Sequence, residues 1–304
     1  MSYDQAPFIW FGGKRTIAAL VWERFGKVLQ YVEPFAGSLA VFLANPHKTS
    51  LSVLGDTNGF IANFWRCVAS DPVAVAKWCD YPISHVDLGA RHAWLMSQQS
   101  ALSDGLQDAN WAGDHKVAGW WLWGINSWIG GGWCEWGKEY KKRSQIPHVS
   151  NPGRGIHAIG KIPHVSDPGR GMEMLTPQGE TAKAWLRTLS AKLARTTLIH
   201  GDWNRCLNTH YGVRNGGAAV FLDPPYLGFE KVYGDKTPVA KECEAWCKEQ
   251  TKPNLRIALC GHVGDYDLPG WEVFEWSRKS NTYSSTKTKG KEAIWFSPSC
   301  KGDQ

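Results

Sequence analysis

Asp223-Pro224-Pro225-Tyr226 brings together an acid, a stiff turn and an aromatic ring, directly behind the apolar run Ala218-Ala219-Val220-Phe221-Leu222. Such a set can accept hydrogen bonds and stack on a planar ligand. The run is short and apolar on both faces, which predicts a buried strand. The two prolines end it, fix φ and carry the chain out rigidly at the strand's carboxyl end. Open α/β sheets bind their ligands at that end. An ordinary surface turn is the competing reading, because Asp-Pro is common turn chemistry.

The elements that would position this group begin near the N-terminus. Ile9-Trp10-Phe11-Gly12-Gly13-Lys14-Arg15 sets two glycines and a lysine before a helical pattern of Ile17, Leu20, Val21 and Phe25. Glycines admit close backbone approach to a ligand, and a lysine at a helix start can meet an anion; a plain glycine turn reads as well. Val28 to Val32 predicts a first strand, followed by the turn Glu33-Pro34-Phe35-Ala36-Gly37-Ser38 and an apolar helix through Leu39, Val41, Phe42 and Leu43. A second strand, Leu51 to Leu54, runs into Gly55-Asp56-Thr57-Asn58. Strand, tight turn, helix, strand and acid is the pattern of a nucleoside-binding crossover, with the acid placed to accept hydrogen bonds from a ribose. The alternative for Asp56 is a helix cap.

Trp10-Phe11-Gly12-Gly13-Lys14, Glu33-Pro34-Phe35-Ala36-Gly37-Ser38, Gly55-Asp56-Thr57-Asn58 and Leu222-Asp223-Pro224-Pro225-Tyr226 occur in this order. That order resembles the Dam-type DNA adenine-N6 methyltransferases, most of all the phage-encoded members. One position departs from the family's first glycine motif, usually Phe-x-Gly-x-Gly: the second glycine is Leu39 here. The resemblance implies a Rossmann-like, S-adenosylmethionine-dependent α/β fold. Its mixed seven-stranded sheet would end in an antiparallel hairpin. It implies a catalytic domain of residues 1–75 and 181–304, with an inserted, mainly helical and loop target-recognition region at 76–180. It also implies S-adenosylmethionine as cofactor, S-adenosylhomocysteine as product and no metal. Asp223, Pro224, Pro225 and Tyr226 would be catalytic. Trp10, Gly13, Lys14, Glu33, Pro34, Phe35, Gly37, Asp56, Asn58, Asp202 and Trp203 would bind the cofactor; Asp202 and Trp203 belong to a Gly-Asp-Phe-like turn after the strand Thr197 to His200.

The chemistry suits these residue types. An adenine amino nitrogen is a poor nucleophile because its lone pair is delocalised into the ring. Asp223 and the Pro224 carbonyl can accept its two hydrogens and draw it toward tetrahedral geometry. The base must leave the duplex, at a cost of a few kcal/mol. Stacking on Tyr226, worth about 1–3 kcal/mol, offsets much of that. Cytosine-N4 methylation on the same fold and a catalytically inactive DNA-binding relative are the alternatives.

Charge placement points to the same partner. The 304 residues carry a net charge of +6, of which +5 lies between Lys138 and Arg170 and another +5 between Arg278 and Lys291. Two basic stretches on a mildly acidic body suggest a polyanion, here double-stranded DNA. Lys141, Lys142, Arg143, Arg154, Arg170, Lys287 and Lys289 are the candidate DNA contacts. Arg154 and Arg170 each sit in one copy of an internal repeat, Ile146–Gly155 and Ile162–Gly171. Before it, Gly119 to Gly137 holds six tryptophans among six glycines. Most of these rings read as an aromatic core, with one or two facing the site on a glycine-flexible frame. The eight scattered cysteines, with no Cys-x-x-Cys pair, read as reduced packing residues. No apolar run reaches the roughly 20 residues of a membrane span and no signal peptide is evident. The expectation is a cytoplasmic monomer or weak dimer (in the host cytoplasm if phage-encoded), with a restriction endonuclease as an optional partner.

Overall fold

The strands form on short runs rich in apolar, β-branched and aromatic residues. In a computed structural model these are β1 (Gln30–Glu33), β2 (Leu51–Asp56), β3 (Thr196–His200), β4 (Ala218–Leu222), β5 (Leu255–His262), β6 (Glu272–Trp276) and β7 (Glu292–Phe296). The structure describes residues 6–10, 12–79, 85–108, 110–128, 132–139, 180–207, 217–227, 239–276 and 291–300. The strands make one mixed sheet in the order β3-β2-β1-β4-β5-β7-β6. β1 runs parallel to β2 and β4, and β4 runs parallel to β5. β7 is antiparallel to both of its neighbours. The order reverses between β1 and β4, the switch point where open α/β sheets hold ligands. Every residue of β4 and of β7 is buried.

The chain divides into two compact units. One comprises Met1–Lys14, Gly37–Ala44 and Asp56–Gly201; the other comprises Arg15–Ala36, Asn45–Gly55 and Asp202–Gln304. In the first, the main helices are α3 (Gly59–Ser70), α4 (Pro72–Cys79), α5 (His85–Ser97), α6 (Gln99–Gly105), α7 (His115–Ser127) and α8 (Glu180–Leu193); the short α2 (Ala40–Leu43) precedes them. Aspartates start two of these helices. The Asp71 carboxylate accepts the Val73 and Ala74 amides at 3.1 and 2.9 Å, and Pro72 supplies a preset first residue for α4. Asp114 accepts the Val117 amide at 2.9 Å and starts α7. The buried Asn63 of α3 exchanges two 2.9 Å hydrogen bonds with the Asp114 backbone, tying α3 to the start of α7.

The stretch expected to be a glycine-flexible frame is helix α7 through Ser127. Its glycines provide room. A Cβ on Gly119 would collide with Trp78 and the Val75 carbonyl, and one on Gly124 with the Trp133 ring. Trp121, Trp123 and Trp133 are buried. Phe8, Phe64, Trp65 and Trp121 form a core of edge-to-face and tilted rings at 4.9–6.1 Å. Trp120 and Trp123 lie under the Arg91 guanidinium at 4.9 and 4.3 Å.

In the second unit, α1 (Ala18–Phe25) and α9 (Val239–Glu249) accompany the sheet. Arg24 of α1 forks onto the Glu272 carboxylate of β6 at 3.1 and 2.9 Å. All eight cysteines are free thiols and seven are buried, as expected of packing residues. Among the described residues, no helix is long and apolar enough to cross a membrane.

Candidate active site

β4 is the axis of the site in the second unit. Its register with β1 pairs Val32 with Val220, so the two parallel strands end side by side. Glu33-Pro34-Phe35 therefore leaves the sheet next to Asp223-Pro224-Pro225-Tyr226. Pro224 is buried, while Asp223, Pro225 and Tyr226 are half-buried. The Tyr226 ring stands edge-on to His262, with centroids 4.7 Å apart and planes at 76°. Its hydroxyl donates to Glu292 Oε2 at 3.4 Å.

Glu33 is buried and accepts the Tyr31 hydroxyl at 2.9 Å. Burial and the Glu33 charge push the Tyr31 pKa well above its ordinary value, so Tyr31 stays a donor throughout the physiological range. Phe35 stacks on Trp203 at 6.3 Å and 20°, and the Trp203 indole reaches Glu242 at 3.4 Å. Asp202 is exposed and spends one oxygen on the Asn204 amide at 3.1 Å, capping the short 3-10 turn Trp203–Cys206.

The first unit holds the glycine turn. Gly37 has φ +44°, the left-handed region that favours glycine. Its N–H donates to Asp56 Oδ2 at 2.9 Å, and its carbonyl accepts the Trp65 indole N–H at 2.9 Å. A Cβ there would stand 2.6 Å from the Trp10 ring. Gly37 is thus gripped at its amide, its carbonyl and its Cα. Leu39, at the family's second glycine position, is fully buried and keeps a left-handed φ of +56°. The backbone conformation persists where the glycine does not.

Asp56 Oδ1 accepts the Asn58 amide at 2.8 Å. It does not cap α3: Asn58 does, accepting the Phe60 and Ile61 amides at 3.0 and 3.4 Å. Burial raises the Asp56 pKa to about 6, against the lowering effect of the amides that it accepts. Two carboxylate oxygens have more lone pairs than these backbone amides use, which fits an acceptor of ribose hydroxyls. Lys14 is buried, and its ammonium donates to the Gly12 carbonyl at 2.6 Å; Gly13 closes a turn onto the Trp10 carbonyl at 2.9 Å.

The structure therefore joins Trp10, Gly37 and Asp56 directly, pairs Phe35 with Trp203, and uses Asn58 and Asp202 as caps. Lys141, Lys142, Arg143, Arg154, Arg170, Lys287 and Lys289 lie outside the described residues, as do both copies of the repeat. Trp65, His262 and Glu292 carry contacts that sequence reasoning missed. Nothing local in the sequence marks the target of the Trp65 indole or the contacts of the other two.

The strand order, the reversed β7 and the acids at the strand ends define the fold class of the S-adenosylmethionine-dependent methyltransferases. The family model for D12 class N6 adenine-specific DNA methyltransferase matches residues 10–84. Over these residues the chain is similar to that class, and the match supports adenine-N6 methylation of DNA with S-adenosylmethionine as methyl source. The matched stretch holds the Trp10, Gly37 and Asp56 cluster; Asp223 to Tyr226 lie beyond it. No curated protein matches the chain.

Proposed function

We propose that Asp223, Pro224, Pro225 and Tyr226 are the catalytic group that receives a flipped-out adenine. The observation that carries this reading is the position of Asp223-Pro224-Pro225-Tyr226 at the end of β4, beside the end of parallel β1 at the switch point of the sheet. Asp223 and the Pro224 carbonyl accept the two amino hydrogens and localise the nitrogen lone pair. Pro225 stiffens the turn, and Tyr226 stacks on the base. A small misplacement of these groups costs rate heavily, which is the use of two consecutive prolines. S-adenosylmethionine, when bound, supplies the electrophilic methyl, and this chemistry needs no metal.

Cofactor binding is assigned to Trp10, Gly13, Lys14, Glu33, Pro34, Phe35, Gly37, Asp56, Asn58, Asp202 and Trp203. Asp56 accepts ribose hydroxyls, and the stacked Phe35 and Trp203 offer an apolar flank. Residues 76–180 form the target-recognition region, within a catalytic domain of 1–75 and 181–304. Its basic side chains, with Lys287 and Lys289, grip phosphates. The enzyme works in the cytoplasm as a monomer or weak dimer, of phage type and able to serve beside a restriction endonuclease.

Incubation with methyl-labelled cofactor and DNA, followed by digestion to nucleosides, tests this. Label is expected in N6-methyladenine; label in N4-methylcytosine would replace adenine by cytosine. Asp223→Ala is expected to cost at least about a hundredfold in kcat, the scale of a lost transition-state acceptor, with cofactor affinity retained. Unchanged turnover in Asp223→Ala would sink the mechanism.

A further inference from the structure

We infer that Glu292 and His262 are positioning residues that hold the Tyr226 ring for the target base. The inference rests on the assignment of Tyr226 to the flipped adenine. Two prolines fix the backbone up to Tyr226 but leave its own side-chain torsions free. Something else must set the ring plane. The His262 ring meets it edge-on at 4.7 Å, and Glu292 takes its hydroxyl at 3.4 Å.

Both partners stand on the rigid sheet. His262 closes β5, Glu292 opens β7, and the two are register partners across the antiparallel pair. A site built on strands is held more closely than one built on loops. The His262 corner is itself pinned. Asp265 accepts the His262 amide at 2.7 Å, and its carboxylate lies 3.7 Å from Nδ1. Tyr266 donates to the Cys260 carbonyl at 3.0 Å and leaves no space for a side chain on Gly261.

The chemistry of Glu292 adds to the geometry. It is only 8% exposed, and the rest of β7 is Ala293-Ile294-Trp295-Phe296, all buried. A carboxylate is costly to place in such a strand. Here it holds a phenol, and a phenol donating to a carboxylate is richer in electrons. That favours stacking on a base gaining positive charge as its amino group is alkylated.

A double-mutant cycle on the full chain tests the inference, using methyl transfer to DNA and independently measured cofactor affinity. Tyr226→Phe and Glu292→Ala are each expected to lower kcat about three- to tenfold, the size of one hydrogen bond. The double variant should be no worse than the weaker single one. Cofactor Kd should stay unchanged, and Glu292→Gln, which keeps an acceptor, should recover most of the loss. Effects that multiply, or a Glu292→Ala enzyme with unaltered kcat, would overturn the inference. If Tyr226→Ala transfers methyl at the full rate, the stacking role of Tyr226 falls, and this inference with it. If Tyr226→Ala is crippled while the cycle is additive, only the inference falls. Should Glu292→Ala fail to fold, tyrosine ring NMR decides without turnover. Signals lost in Tyr226→Phe should shift in Glu292→Gln and His262→Ala while those of Tyr31 hold; unmoved Tyr226 signals would reject the inference.

Discussion

Asp56 shows what one carboxylate can impose on the whole enzyme. Its pKa is raised from the ordinary 3.8 to about 6 because burial disfavours the charge. The folded chain therefore binds this proton more tightly than the unfolded chain. Its stabilising contribution is present in full below pH 4 and is lost as pH rises through about 6. In the proposed ribose-binding role the ionised form is the acceptor, so binding runs the other way. Cofactor affinity, measured by equilibrium dialysis, is expected to fall about tenfold for each pH unit below 6 and to be flat above it; Asp56→Asn should be weak at every pH. An affinity in the native protein that ignores pH between 5 and 7 would remove Asp56 from the ribose. The position of Asp56 at a strand end was legible in the sequence because the strand and the turn are both local patterns. The indole of Trp65 on the Gly37 carbonyl was not, because helical periodicity assigns a tryptophan to a face and says nothing of a donor's target 28 residues away.

At the scale of elements, α7 is the instructive case. Glycine lowers helix propensity by about 1 kcal/mol, and so the glycines between Gly119 and Gly137 read as a loose frame. Packing overrides propensity, since Gly119 and Gly124 give α7 the closeness to Trp78 and Trp133 that a Cβ would forbid. Gly124→Ala should therefore destabilise the protein by about 1–3 kcal/mol through overpacking, although alanine is the better helix former. Urea denaturation measures this; a stabilised variant would refute the packing account. Elements with clean local signals fell close to expectation. The strand expected from Leu51 is β2 (Leu51–Asp56), and the apolar run Ala218 to Leu222 is β4. β1 starts at Gln30 rather than Val28, because Leu29 and Gln30 already bond the Gly217 carbonyl and the ladder with β4 begins only there.

For the molecule as a whole, the mixed seven-stranded sheet was legible only through the family resemblance that the motif order carries, since motif order by itself fixes no strand pairing. The same resemblance implied the antiparallel end of the sheet, which β7 forms with β5 and β6. Target recognition was not legible in the same way, because base-edge contacts depend on side-chain geometry that no periodicity encodes. Charge still makes a prediction at this scale. Two stretches of +5 each should make DNA affinity fall linearly on a log–log plot against salt. Replacing Lys287 and Lys289 together by Gln should reduce that slope by about 2, one per phosphate contact, with little change in sequence preference. A salt slope unaltered in the double variant would take both lysines off the DNA.

Leu39 has a consequence for sequence tolerance as well as geometry. A leucine at φ +56° costs roughly 1–2 kcal/mol against a glycine, while its complete burial returns about 1.5–3 kcal/mol. The two nearly cancel. An exchange of leucine for glycine at this position should therefore leave the turn and the protein's stability almost unchanged. A sequence pattern that insists on both glycines would pass over a turn of this shape.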